Sequence, residues 1–288
     1  MKPGPGSADD KSAARAVSPS MGGGGVPAEG QAALGHALRK EDETLERLLL
    51  NQGFILQKRH GYRFSIDAIL LAYLAALRRA RLRSPGRFGY MDLGCGCGIV
   101  PILLARRDPR LRGYGVEIQE SLADLAERNM RLHGLEDRIR ILREDLKNLP
   151  KSFASGSFDW MTCNPPYRPL AAGRVNPDPQ KALARHEIAA SLAEICAVMA
   201  YLLKAGGKAF LIYPAARSVE LLSRMRQNAL EPKYLRLVYP RVGERAKWVL
   251  VEGVCRGKES LSADAPLYVE EETGGYTEEV RRMILWNL

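Results

Sequence analysis

The sequence predicts an α/β fold: a mostly parallel seven-stranded sheet with helices on both faces and an antiparallel hairpin near its C-terminal end. Three observations predict it. From Tyr90 onward, short apolar runs rich in β-branched and aromatic residues alternate with helical stretches, the pattern of βαβ units. The last two runs, 234–239 and 248–255, are separated by a short polar loop without a helix, so they pair antiparallel. Glycines and carboxylates gather where the runs stop, and the carboxyl edge of an open α/β sheet is where ligands bind.

Taken in order, residues 1–40 hold Gly22-Gly23-Gly24-Gly25, several prolines and few apolar anchors. Such a stretch cannot bury enough surface to offset its ordering entropy, so a disordered tail is expected. A lead-in follows over 41–89, with a short helix at 43–50, a strand at 54–57 and an apolar helix at 68–77, which Ser65 or Asp67 is placed to cap. The main domain, 90–257, has strands at 90–93, 114–118, 139–142, 158–163 and 208–213 ahead of the hairpin, with helices at 99–107, 120–133, 187–203 and 215–229. Pro101 falls in a first helical turn, where its missing N–H is harmless, and Gly134 ends the second helix. Residues 258–288, with Glu270-Glu271-Glu272, form an acidic extension that either packs back on the domain or stays mobile.

At 46% hydrophobic residues the chain is in the globular range, and no run of about 18 apolar residues exists to span a membrane. The N-terminus lacks an apolar signal segment and carries Asp9-Asp10, so a cytoplasmic protein is expected. Five scattered cysteines fit a reducing compartment, and Cys95-x-Cys97 is not a metal spacing, so no metal is expected. The sequence leaves oligomeric state open. The net charge of +10 favours polyanionic partners. Between Arg217 and Lys258 ten Lys or Arg face four Glu, and a second basic stretch runs Lys58-Arg59, Arg63, Arg78-Arg79, Arg81, Arg83 and Arg87. Two basic patches beside a ligand edge point to nucleic acid.

Four features mark that edge. Asp92-Leu93-Gly94-Cys95-Gly96-Cys97-Gly98 is a strand end followed by G-x-G-x-G, where glycine permits positive φ and lets a ligand lie on bare backbone. Glu117 ends the next strand, and a carboxylate there suits a pair of ribose hydroxyls. Asp145 follows the third strand. Asn164-Pro165-Pro166-Tyr167 follows the fourth, and its prolines cannot continue a ladder, so an amide and an aromatic ring are held on a stiff turn.

In this order and spacing these motifs resemble the class I, Rossmann-like methyltransferases that use S-adenosyl-L-methionine, and the last resembles the subgroup acting on amino groups in planar π-systems. The resemblance implies that Asp92, Gly94, Gly96 and Gly98 back the methionine part of the cofactor. It further implies that Glu117 binds its ribose and Asp145 its adenine amine, and that Asn164 lies between cofactor and acceptor. Cys97 stands where the family often has Thr or Ser. Within the subgroup, Gly61-Tyr62-Arg63-Phe64-Ser65-Ile66-Asp67, Ala184-Arg185-His186-Glu187 and Trp248-Val249-Leu250-Val251-Glu252 resemble the bacterial tRNA(Val) adenine-N6-methyltransferases.

That resemblance implies a mechanism. The Asn164 side-chain oxygen and the Pro165 carbonyl accept the two hydrogens of the target amine, and Tyr167 stacks on the base. Positioning and acceptors aimed at developing positive charge replace a strong base. Pro166, Arg168, Arg185, Arg241, Arg245 and Lys247 are expected on the tRNA side. Three rivals remain: glutamine N5-methylation of a release factor, DNA adenine methylation, and an RNA-binding module with a degenerate cofactor fold. The short basic lead-in disfavours the first, and the lack of a large insertion for a target-reading domain disfavours the second. The intact glycine loop with Glu117, Asp145 and Asn164 disfavours the third.

Overall fold

The computed structural model describes residues 28–48, 53–61, 63–79, 88–165 and 190–285. α1 (Ala28–Leu38) falls in the expected tail, and the lead-in comprises β1 (Glu43–Arg47), β2 (Phe54–Lys58) and α2 (Ile66–Arg79). The main domain continues with β3 (Phe88–Leu93), α3 (Ile99–Arg107), β4 (Arg112–Glu117), α4 (Glu120–Leu132), β5 (Ile139–Arg143), the short α5 (Leu149–Ser152) and β6 (Phe158–Cys163). It ends with α6 (Leu192–Leu202), β7 (Leu203–Pro214), α7 (Ser218–Gln227), β8 (Leu230–Tyr239) and β9 (Trp248–Cys255). The extension adds β10 (Ser262–Ala263), β11 (Leu267–Tyr268) and α8 (Glu278–Leu285).

The seven long strands lie in the order β5-β4-β3-β6-β7-β9-β8. Neighbours from β5 to β7 are parallel, whereas β9 runs antiparallel to both β7 and β8. The chain leaves β3 toward β4 and β5, then returns to β6 on the other side of β3. That reversal is the switch point at which doubly wound sheets open a crevice. Strand alternation divides the core between the two faces. Tyr90, Trp160, Phe210 and Leu250 pack with α2 and α3, while Met91, Met161, Leu211 and Val251 pack with α6 and α7.

Two expectations, one for the lead-in and one for the tail, are corrected. The stretch 43–50 carries leucines at a helical spacing, yet Glu43–Arg47 is a strand paired antiparallel with β2, Leu45 opposite Leu56. Cross-strand pairing and a buried Glu43 override local helical preference. Within the expected tail, Ala28–Leu38 is a helix, because Leu34 and Leu38 pack on the core and the Gln31 side chain accepts a hydrogen bond from the Phe54 N–H at 3.3 Å. Smaller differences concern ends: β7 begins at Leu203, and 215–229 divides into a 3₁₀ turn, Ala215–Arg217, and α7.

The lead-in is fastened to α4 by buried polar groups. Asn129, fully buried, accepts from the Leu56 N–H at 2.8 Å and donates to the carbonyls of Leu56 and Cys97, both at 2.9 Å. One amide thus joins β2 to the glycine loop. The Arg128 guanidinium grips Glu43 through two bonds of 2.6 Å and reaches Asp124 at 2.7 Å. The extension packs back: β10 and β11 pair parallel with β8, and Val280, Met283 and Ile284 of α8 are buried in the core. The hairpin strand β8 is therefore covered on its outer side.

Candidate active site

The glycine loop leaves β3 with Gly94, Gly96 and Gly98 at φ of 69°, 56° and 83°. These left-handed angles are why residues with a Cβ are excluded there. The turn closes through Cys95 N–H to the Val116 carbonyl at 2.9 Å and Gly98 N–H to the Cys95 carbonyl at 2.9 Å. Beneath it, the buried Glu117 accepts from Gly96 N–H at 3.0 Å and Gln119 N–H at 2.9 Å. Its two oxygens retain lone pairs for a diol. Desolvation by burial raises the Glu117 pKa despite those backbone donors. A Cβ built on Gly94 meets no atom within 4 Å, so the loop faces open space on that side.

Asp92 is 2% exposed at the end of β3 and accepts from Thr162 Oγ1 at 2.6 Å, and Thr162 Oγ1 lies 2.7 Å from the Tyr90 hydroxyl. Burial, opposed by the Thr162 hydrogen bond and reinforced by the Glu117 charge, lifts its pKa to about 7. A buried acid held this close to neutrality is suited to meet a cation. Asp145 caps the turn Leu146–Asn148, accepting from Lys147 N–H at 3.0 Å and pairing with Lys147 Nζ at 3.3 Å. The capping role and a place beside β5 coexist in one side chain.

Asn164 and Pro165 leave β6 next to β3, so the amide and the glycine loop share the crevice edge. Asn164 Nδ2 donates to Asp67 Oδ2 at 3.0 Å, and Ser65 Oγ donates to Asp67 Oδ1 at 2.5 Å. Asp67, which the sequence offers as a helix cap, is thus tied to the tetrapeptide 97 positions away. The sequence signals it only as an acid at the start of an apolar helix, which reads as a cap. Pro166, Tyr167, Arg168 and Arg185 lie outside the described residues, as do Tyr62 and His186.

Since β8 runs parallel to β7, the loop joining β8 to β9 emerges at this same edge, two to three strand spacings from β6, roughly 10–14 Å. It carries Arg241, Arg245 and Lys247. Lys247 Nζ stands 4.2 Å from the Trp248 ring centre, Arg245 is exposed, and Arg241 pairs with Glu270 of the extension at 2.5 Å. In the second basic stretch Lys58 pairs with Glu43, Arg63 with Glu46, Arg78 with Glu252 and Arg79 with Asp108, whereas Arg59 is exposed and Arg81, Arg83 and Arg87 lie outside the described residues. In the first patch Arg245 and Lys247 keep an exposed cationic face at this edge.

Residues 73–186 match the family model of the methyltransferase small domain. The chain is a methyltransferase. Its glycine cradle, with open space at Gly94 and buried carboxylates at Asp92 and Glu117, fits S-adenosyl-L-methionine. The chain is 27% identical over 208 residues to a tRNA1(Val) (adenine(37)-N6)-methyltransferase of Aeromonas hydrophila, covering 70% of this chain and 83% of that one. A protein of the same name from Porphyromonas gingivalis is 32% identical over 133 residues, 46% of this chain and 51% of its own length. A release factor glutamine methyltransferase of Chlorobaculum tepidum is 32% identical over 126 residues, 39% of this chain and 42% of that one. A solved structure from Agrobacterium tumefaciens, described as a predicted O-methyltransferase, shares the fold at a TM-score of 0.59 and 21% identity, over 77% of this chain and 96% of that one. Among the described residues of this methyltransferase, no helix is long and apolar enough to cross a membrane.

Proposed function

We propose that this methyltransferase N6-methylates an adenine in tRNA, next to the anticodon of a valine tRNA, in the cytoplasm. One observation carries the reading: the glycine cradle, the Asn164 amide and the basic loop with Arg245 and Lys247 emerge at one edge of one sheet. The names of the Aeromonas and Porphyromonas relatives support it. The cradle holds the cofactor, with Glu117 on the ribose, Asp92 toward the methionine ammonium and Asp145 toward the adenine. When bound, the cofactor supplies an electrophilic methyl.

The chain's residues do the rest by placement. An exocyclic amine is a poor nucleophile because its lone pair is delocalised. Acceptors at the Asn164 side chain and the Pro165 carbonyl draw its two hydrogens out of the ring plane and aim the lone pair. They also stabilise the charge that develops on nitrogen, so no strong base is needed. The resemblance assigns stacking on the base to Tyr167 and the tRNA side to Pro166, Arg168 and Arg185, all of which lie outside the described residues. A loop base costs less to turn out than a paired one. Arg245 and Lys247 hold backbone phosphate 10–14 Å away, roughly two nucleotide steps.

A second reading, glutamine N5-methylation of a release factor, is favoured by the Chlorobaculum relative. Labelled cofactor offered separately to total tRNA, release factor and DNA, followed by nucleoside analysis, decides. Label in N6-methyladenosine of tRNA is expected; label in the release factor alone overturns the proposal. Asn164→Ala should keep cofactor affinity within about threefold while removing most transfer, because the contacts it loses to the reactants are those made to the target amine in the transition state.

A further inference from the structure

We infer that Asp67 is the positioning residue of the Asn164 amide: it holds the amide nitrogen, so that the amide oxygen is the atom shown to the target amine. This rests on the amine-methylation reading above. An asparagine amide carries a donor and an acceptor of nearly equal size, and a half-turn about its last bond exchanges them. For an amine acceptor only one of the two orientations works. The opposite one would point N–H groups at N–H groups.

The structure supplies the selector. Asp67 is 6% exposed, in the first turn of the 14-residue helix α2, where negative charge is favoured. A carboxylate can only accept, so it bonds the amide nitrogen and repels the amide oxygen. Asn164 Nδ2 sits 3.0 Å from Oδ2, and Ser65 Oγ fixes the other carboxylate oxygen at 2.5 Å. The pair also joins the lead-in to the end of β6. α2 itself is anchored at its far end, where Arg78 and Lys208 converge on the buried Glu252. The selector therefore stands on a rigid helix rather than on a loop.

Asp67→Asn is isosteric and removes the preference, because its own amide can meet either end of Asn164. It should lower kcat about 10- to 100-fold, short of the roughly 100- to 1000-fold that losing one preorganised transition-state contact outright costs, with cofactor Kd unchanged. Asn164→Asp sets two carboxylates face to face and should be worse. Combining Asn164→Asp with Asp67→Asn restores a donor–acceptor pair of reversed polarity and leaves one oxygen toward the amine. That double variant should regain at least about tenfold over Asn164→Asp alone.

A readout without any acceptor separates this inference from the substrate assignment. The side-chain amide ¹H–¹⁵N signals of Asn164, identified by their loss in Asn164→Ala, should move in Asp67→Asn. If they move while tRNA takes no label, the substrate assignment fails and the positioning role stands. Unmoved signals, a kcat within about twofold of wild type, or additive losses in the double variant would each overturn it.

Discussion

Replacing Arg128 by Met tests whether the lead-in is held by one buried ion pair. Its guanidinium is 8% exposed and meets a fully buried Glu43 side chain through two bonds of 2.6 Å, with the Leu38 carbonyl at 2.9 Å as a third partner. Burial alone would raise the Glu43 pKa. The hydrogen bonds from Arg128, the Lys40 N–H and Lys58, with the Arg128 charge, overcome it and set the value at about 2, against an ordinary 4.5. A folded value below the unfolded one means stability that is present above pH 4.5 and lost as pH falls toward 2. The gap is worth about 3 kcal/mol at pH 7 and under half of that near pH 3. Arg128→Met leaves Glu43 with the Lys40 N–H and Lys58, so a loss of about 3 kcal/mol is expected in urea unfolding at pH 7, shrinking steadily below pH 4.5. Adding Glu43→Leu should recover most of it, since two apolar groups then replace the pair. A loss under about 1 kcal/mol at pH 7, or one equal at pH 7 and pH 3, would refute the reasoning.

Three more outcomes are expected. Asp92, with a folded pKa lifted by burial and by Glu117 to about 7, weakens the fold as pH rises from about 4 to 7; a urea midpoint that falls over that window should flatten in Asp92→Asn, and a cationic ligand should bind more tightly above pH 7. Gly94→Ala should cost only about 1 kcal/mol, for a positive φ with no clash, yet weaken cofactor binding more than about tenfold in calorimetry, because the methyl enters the cradle. Glu270→Gln should free Arg241 and strengthen tRNA binding a few-fold at low salt, steepening the salt dependence by about one unit, while Arg245→Gln with Lys247→Gln flattens it.

The main domain was legible because its signals are local. Each glycine of the loop adopts the positive φ that its position implies, and each strand of 90–163 lies within two residues of its expected ends. The lead-in was not, because its structure is decided by partners far along the chain. Residues 43–47 become a strand only against 54–58, and 28–38 become a helix only where Leu34 and Leu38 find the core. Basic residues misled for a related reason. Composition counts charges, whereas Arg63, Arg78 and Arg79 are each committed to a particular carboxylate that periodicity does not reveal. Asp67 shows the same limit within the site. Its local setting explains a helix cap, and only the fold brings it to Asn164.

The pairing of β10 and β11 along β8 reaches beyond the site. A long terminal strand with unpaired N–H and C=O groups is a template on which another chain can add itself. Here residues 234–235 and 238–239 are already taken by the chain's own extension, and α8 is packed against α2 beneath. The acidic segment thus acts as a guard on the sheet's margin. Stripped of it, the enzyme would trade a closed border for a sticky one, and its solubility would become a function of concentration.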